Sequence, residues 1–145
     1  MKIRALLTGL FLILMQNSYA QVAVDTLVQQ RQEVVAQYIT YLGTADLAGM
    51  ETLFSPNSWV ISTSAGRKNA LEFFSGFFPL IAKAHTQLHQ RFISQTDANT
   101  YGARFHLDYQ LHDGETGAGE YIDEFVFFDN SAQLQAVSMF ENLKF

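Results

Sequence analysis

The sequence predicts an α+β domain in which a curved antiparallel sheet wraps around N-terminal helices and leaves a conical cavity at its open end. Two observations carry the prediction. Apolar residues recur at helical spacing from Leu27 to about Ala84, and with a period of two after His85. Helices first and strands after is the order that lays helices on one face of a sheet. The stretch Ala103 to Leu111 then shows the sheet has an oily and a wet side. Ala103, Phe105, Leu107, Tyr109 and Leu111 fall on one face, and Arg104, His106, Asp108 and Gln110 on the other. Strands of up to a dozen residues twist, so this sheet curls around the helices into a cone.

Residues 1–20 read as a secretory signal peptide: Lys2 and Arg4 precede an apolar run from Ala5 to Met15, followed by the small-residue site Ser18-Tyr19-Ala20. The run is shorter than the roughly 20 residues a membrane-spanning helix needs. Cleavage leaves Gln21 first and one domain, 21–145, with no membrane attachment, and the expected location is periplasmic or secreted. With no cysteine in the chain, such a domain is stabilised by its core rather than by disulfides. The formal net charge of -5 becomes 7 − 14 = −7 once Lys2 and Arg4 are removed, which disfavours nucleic acid as a partner. Thirteen phenylalanines suit an aromatic core or an aromatic-lined cavity.

Taken in order, Leu27, Val28, Val34, Val35, Tyr38 and Leu42 predict an amphipathic helix capped by Asp25 and stopped at Gly43. Thr44 caps a second, short helix with Leu47, Met50, Leu53 and Phe54 as its stripe, and Ser55-Pro56-Asn57 ends it. Trp59 to Ser62 reads as a short strand. A third helix starts near Arg67, with Ala70, Leu71, Phe74, Phe77 and Phe78 on its apolar face, weakened by Gly76 and Pro79. Four strands follow near Thr86–Ser94, Tyr101–His112, Glu120–Phe128 and Gln133–Leu143, as an antiparallel meander.

This order, with Ala36-Gln37-Tyr38-Ile39, Asp46-Leu47, Leu53-Phe54 and Gly66-Arg67-Lys68-Asn69-Ala70-Leu71-Glu72-Phe73-Phe74, resembles the nuclear-transport-factor-2-like superfamily, in its SnoaL-like and ketosteroid-isomerase-like branch. The resemblance spans about Leu27 to Leu143. That scaffold carries isomerases, cyclases, dehydratases, carriers and noncatalytic adaptors, so it implies a fold more than an activity. Its isomerases use a base aspartate on the first short strand and an oxyanion site of a tyrosine and a protonated acid. Tyr38 stands at the tyrosine's place, and Asp123 or Glu124 at the acid's. Ser62 stands where the base belongs, and an unassisted serine hydroxyl cannot take a carbon-bound proton at neutral pH.

The resulting expectation is a cavity binding a small, mainly apolar molecule. Trp59, Phe73, Phe74, Phe77 and Tyr109 are its walls, and Tyr38, Ser62 and one of Asp123 or Glu124 its polar contacts. Tyr38, Asp123 and Glu124 are the candidates for a catalytic role in the alternative lyase, cyclase or isomerase reading. A noncatalytic assembly module with a filled cavity is the third. No cofactor is implied, and no Cys-based, Gly-x-Ser-x-Gly or His-Glu-x-x-His site can be built.

If the first hairpin turns about Asp97-Ala98, positions summing to 195 pair. His89 then faces His106, Arg91 faces Arg104 and Gln87 faces Asp108, all on the wet face. A strand surface splays such side chains, so a solvated stripe is favoured over a metal site. The resemblance implies that this outer face can join two copies, with His89 and His106 making the homodimer pH-sensitive.

Overall fold

The computed structural model describes the backbone of residues 2–141 and the side chains of residues 23–141. The chain order is α1 (Lys2–Thr44), α2 (Leu47–Thr52), β1 (Phe54–Ser62), β2 (Gly66–Asn69) and α3 (Ala70–Phe77). A 3₁₀ turn (Phe78–Leu80), β3 (Ile81–Ile93), β4 (Thr100–Leu111), β5 (Thr116–Phe127) and β6 (Leu134–Glu141) complete it. The signal sequence expected over residues 1–20 lies outside the described side chains. Asp25 does not start the first helix, because α1 runs straight through it.

Gly43 is the last turn of α1 and not its stop. A Cβ there would fall on the Thr86 side chain of β3, whose hydroxyl donates to the Ile39 carbonyl at 2.8 Å. The missing side chain lets helix and sheet touch. The helix ends instead at Ala45, which takes φ of 50°. The Asp46 N–H then returns to the Tyr41 carbonyl at 3.0 Å, and the Ala45 N–H to that of Leu42 at 3.4 Å, which satisfies the last carbonyls. Asp46, rather than Thr44, caps α2 by accepting from the Gly49 N–H at 3.0 Å. Thr44 is spent on α1, donating to the Thr40 carbonyl at 3.0 Å.

The sheet order is β2-β1-β6-β5-β4-β3. β3 to β6 form the expected antiparallel meander, but β1 lies parallel to β6, so the sheet is mixed. Ser55-Pro56-Asn57 does not end a helix. It forms an irregular stretch of β1 between the Phe54↔Leu134 and Trp59↔Ala136 pairs, where proline costs no ladder hydrogen bond. Buried Ser58 holds that stretch, accepting from Ser55 N–H at 3.0 Å and donating to the Leu134 carbonyl at 2.7 Å.

Arg67 and Lys68 are strand, not helix: Gly66 at φ of 65° turns the chain back, and β2 pairs with β1. The third helix begins only where the Asn69 carboxamide oxygen accepts from the N–H groups of Leu71 and Glu72 at 3.0 and 3.2 Å.

The first-hairpin register differs from the symmetric pairing. Gln87 faces His106, His85 faces Asp108 and Arg91 faces Ala103, with a bulge between Leu88 and Gln90. The pairs next to the turn are already displaced by one residue, since Ile93 faces Tyr101 and Arg91 faces Ala103. The bulge leaves His89 without a direct partner and displaces the pairs beyond it by one more. Arg91 therefore leaves the wet face and donates to the Gln32 carbonyl on α1 at 3.0 Å.

The core fills the space between α1, α3 and the concave face, with Tyr38, Phe74, Phe105, Phe125 and Phe127 among its largest side chains. Arg31 closes one end. Only 3% exposed, it donates to the carbonyls of Ala98 at 2.8 Å, Phe128 at 2.9 Å and Ser131 at 2.8 Å, over the Phe127 ring at 5.2 Å. These contacts tie α1 to the β3–β4 and β5–β6 loops. Arg31→Ala should lower stability by about 3 kcal/mol in urea denaturation, as expected for losing several charge-assisted hydrogen bonds at a buried site. A loss under about 1 kcal/mol would show that the loops hold this end without it.

Candidate functional site

The opposite end is open. A cavity of about 450 Å³ lies between α3, the end of α1 and the concave ends of β4, β5 and β6, with the Ser62–Ala65 turn at its mouth. Alternation sets its walls. Phe105, Leu107 and Tyr109 share one face of β4, Tyr121 and Asp123 one face of β5, and Met139 and Glu141 one face of β6. On α3, Phe73 and Phe77 lie four residues apart and face the cavity together. The Phe77 and Tyr109 rings meet edge-on at 5.9 Å, and Phe105 stacks on Tyr121 at 5.7 Å. Tyr109 lies across Gly117, where a Cβ would come within 2.5 Å of its ring.

Asp123 is the acid that enters, and Glu124 points out to solvent. Successive strand residues face opposite ways, so only one of the two could be inside. Asp123 is 1% exposed, its Oδ1 makes no hydrogen bond, and it borders the cavity. Burial raises its pKa to about 8, against the opposing pull of the Tyr38 hydroxyl and the Phe140 N–H. It is therefore mostly protonated at neutral pH. Burial, then the neighbouring Asp123, pushes the Tyr38 phenol well above its ordinary value. The two groups are close enough to couple, yet the Tyr38 hydroxyl makes no hydrogen bond of regular geometry. Tyr121 is pushed up to about 12, first by burial and then by Glu141, Tyr109 and Asp123.

Of the candidate residues, Ser62, Phe73, Phe77 and Tyr109 line the cavity, whereas Tyr38, Trp59 and Phe74 do not. Tyr38 is fully buried behind the wall, edge-on to Phe125 at 5.0 Å and to Phe74 at 6.0 Å. Phe74 follows Phe73 by about 100° around the helix, which turns it into the core. Trp59 shares its strand face with exposed Ile61, opposite to buried Val60, and lies under the Arg67 guanidinium at 4.1 Å. Leu42, Tyr121, Met139 and Glu141 lie outside the sequence-based expectation. For Phe105 and Leu107 the signal was present, since they share the parity of Tyr109.

The wet face of β3, β4 and β5 carries a chain of contacts. His85 Nδ1 is 3.3 Å from Asp108 Oδ2, His106 Nδ1 3.0 Å from Glu120 Oε1, and His89 Nε2 3.4 Å from Glu120 Oε2. Desolvation pushes the Glu120 carboxyl up, but the His106 hydrogen bond and the two imidazoles outweigh it and hold it lower than usual. Among the described residues no three His, Asp or Glu converge on a point that could hold a metal ion.

No family model and no curated protein matches the chain, but many solved structures do. A protein from Jannaschia sp. CCS1 assigned as a SnoaL-like polyketide cyclase superposes with a TM-score of 0.63 at 13% identity, covering 79% of this chain and 86% of that one. An NTF2-like protein from Exiguobacterium sp. 255-15 gives 0.61 at 12% identity, over 75% and 98% of the two chains. The chain has the nuclear-transport-factor-2-like fold. PrhC from Penicillium brasilianum shares this NTF2-like arrangement at a TM-score of 0.65 and 10% identity, over 80% of this chain and 82% of its own.

Asp123 also gives the NTF2-like domain a pH signature. Its proton stays on in the folded state up to about pH 8 but leaves the unfolded chain near 3.8. Its neutral form thus contributes stability fully present below about pH 4 and lost as pH rises to 8, by up to about 1.4 kcal/mol per unit. Denaturation from pH 4 to 8 should show Asp123→Asn gaining steadily on the wild type. A constant offset across that range would mean that the acid is ionised in the fold.

Proposed function

We propose that the protein is an exported domain that binds a small, mainly apolar molecule in its conical, aromatic-lined cavity. The observation that carries this reading is the cavity itself, a space of about 450 Å³ with Phe73, Phe77, Phe105 and Tyr109 on its walls and one buried acid. Such a volume suits a compact organic molecule, and a few placed polar groups among apolar walls are how such sites orient one. The open space argues against a cavity plugged by its own phenylalanines. Cleavage after Ala20 would deliver the domain to the periplasm or the exterior.

The coupling of Tyr38 to Asp123 favours a second reading, an enzyme of lyase, cyclase or isomerase type in which Asp123 meets the substrate and Tyr38 tunes it from behind. In a titration with the neutral dye Nile red, Phe77→Ala should weaken binding about tenfold, from the apolar contact it removes. Tyr38→Phe should leave affinity within twofold. Unchanged binding in Phe77→Ala would move the site elsewhere, and a tenfold loss in Tyr38→Phe would put its hydroxyl on the ligand.

The outer face supports self-association in addition. Ile61, Ile122 and Phe140 are exposed there, beside the histidine and carboxylate chain. Ile122 and Phe140 are register partners on adjacent strands, which makes their exposure contiguous. Two copies meeting through this face would bring His85, His89 and His106 near their own images. Sedimentation should therefore show a dimer fraction that differs between pH 5.5 and 7.5. Equal fractions at the two pH values would remove the histidines from the interface.

A further inference from the structure

The charge of the cavity wall is one-sided. Two carboxyl groups, Asp123 and Glu141, and five aromatic rings line it, and among the described residues no lysine, arginine or histidine does. Lys83 on β3 borders a second groove, which shares Tyr109, Gly117 and Ala118 with the cavity, but does not line the cavity itself. A ligand carboxylate or phosphate would therefore enter a largely apolar space with no cation to meet it and with Glu141 at the mouth, a costly placement.

Asp123 supplies the complementary half. It is 1% exposed, it borders the cavity, and its Oδ1 has no hydrogen-bond partner. That oxygen is enclosed, with the Tyr38 hydroxyl close enough to couple to the carboxyl from the core side, so a ligand would meet Asp123 only where the residue borders the cavity. The surrounding rings are a favourable setting for positive charge, since an aromatic face attracts a cation most strongly where water is excluded.

We propose that the cavity binds an amphipathic organic amine, its apolar body between Phe73, Phe77 and Phe105 and its ammonium group on the Asp123 carboxylate. This rests on the cavity-binding reading and specifies its ligand class. The groups facing Asp123 are Tyr38 from α1, Tyr109 from β4, Tyr121 on its own strand and Glu141 from β6; Phe73 and Phe77 on α3 are uncharged. None of these is a cation, so a bound ammonium ion would be the first positive charge to reach the carboxyl. Since Asp123 carries a proton at pH 7 when the cavity is free of ligand, an amine arriving as the ammonium ion displaces it. The O–H bond of Asp123 breaks, the proton leaves to buffer, and a carboxylate–ammonium pair remains. Alcohols of the same shape bind without that exchange.

Calorimetry at pH 7 with 2-phenylethylamine, 2-phenylethanol and 3-phenylpropionate separates the cases. The amine should bind at least tenfold more tightly than the alcohol, and the carboxylate should give no binding heat. The amine's apparent enthalpy should differ between phosphate and Tris by the ionisation heat of close to one proton released. Asp123→Asn should bring amine affinity to within twofold of the alcohol, whereas Glu141→Gln should keep at least a fivefold preference. Equal binding of amine and alcohol by the wild type, or a preference lost in Glu141→Gln and kept in Asp123→Asn, would overturn the assignment. Failure of all three compounds to bind would overturn the cavity-binding reading as well, while alcohol binding without amine preference would leave that reading standing.

Discussion

A single buried guanidinium decides which end of this fold is closed. Arg31 donates to three backbone carbonyls, of Ala98, Phe128 and Ser131, and none of these is a carboxylate. A charge out of water is costly unless its hydrogen-bonding capacity is met, and here loop backbone meets it. The β3–β4 and β5–β6 loops are therefore gathered onto α1 at one end of the sheet. Twisted strands that converge there must diverge at the other end. Leu42, three turns further along α1, already borders the cavity. The void near Asp123 is thus a consequence of where the helix is anchored.

The anchored helix also explains why one acid can remain buried. Tyr38 lies between Arg31 and Leu42 on α1 and packs against Phe54, Phe74 and Phe125. It backs the strand on which Asp123 sits and keeps water from reaching that carboxyl from the core side. An aspartate so enclosed holds its proton, which is the cheaper alternative to an unpaired buried charge. Its location fixes the available chemistry as well. A protonated acid at the cavity wall can donate a hydrogen bond or surrender its proton to a stronger pairing, and Ser62 at the mouth adds no base.

Much of this was legible in the chain. The alternation from Ala103 to Leu111 is reproduced in the burial of β4, whereas the change of period read at His85 falls inside β3, which already begins at Ile81. What escaped were features whose cause lies in three dimensions. Symmetric pairing about Asp97-Ala98 is off by one residue at the turn itself, where Ile93 faces Tyr101, and by a second beyond the bulge at His89, which no sequence pattern marks. Arg67-Lys68 carries no pattern distinguishing a short edge strand from a first helical turn; Gly66 and the Asn69 cap decide it. For Trp59 and Phe74 the residue type suggested a cavity wall, but the strand's parity and the helix's rotation send each elsewhere. In both cases the period was the better guide than the side chain.

The same parity separates the two surfaces that matter. On β5, Asp123 and Tyr121 face the cavity while Glu120, Ile122 and Glu124 face out, so a register slip of one residue would exchange them. That exchange would bury a carboxylate paired with histidines and expose an aspartate whose protonation depends on burial. Both groups oppose it, as does the apolar run Phe125 and Phe127 in the core. The register that gives the cavity its acid is accordingly held mainly by the buried Phe125 and Phe127, with the outer face adding a smaller contribution. His106 in particular binds Glu120 across the β4–β5 ladder at 3.0 Å. A change on the wet surface that loosens this pair acts on Asp123 through the strand they share, although the two lie on opposite sides of the sheet.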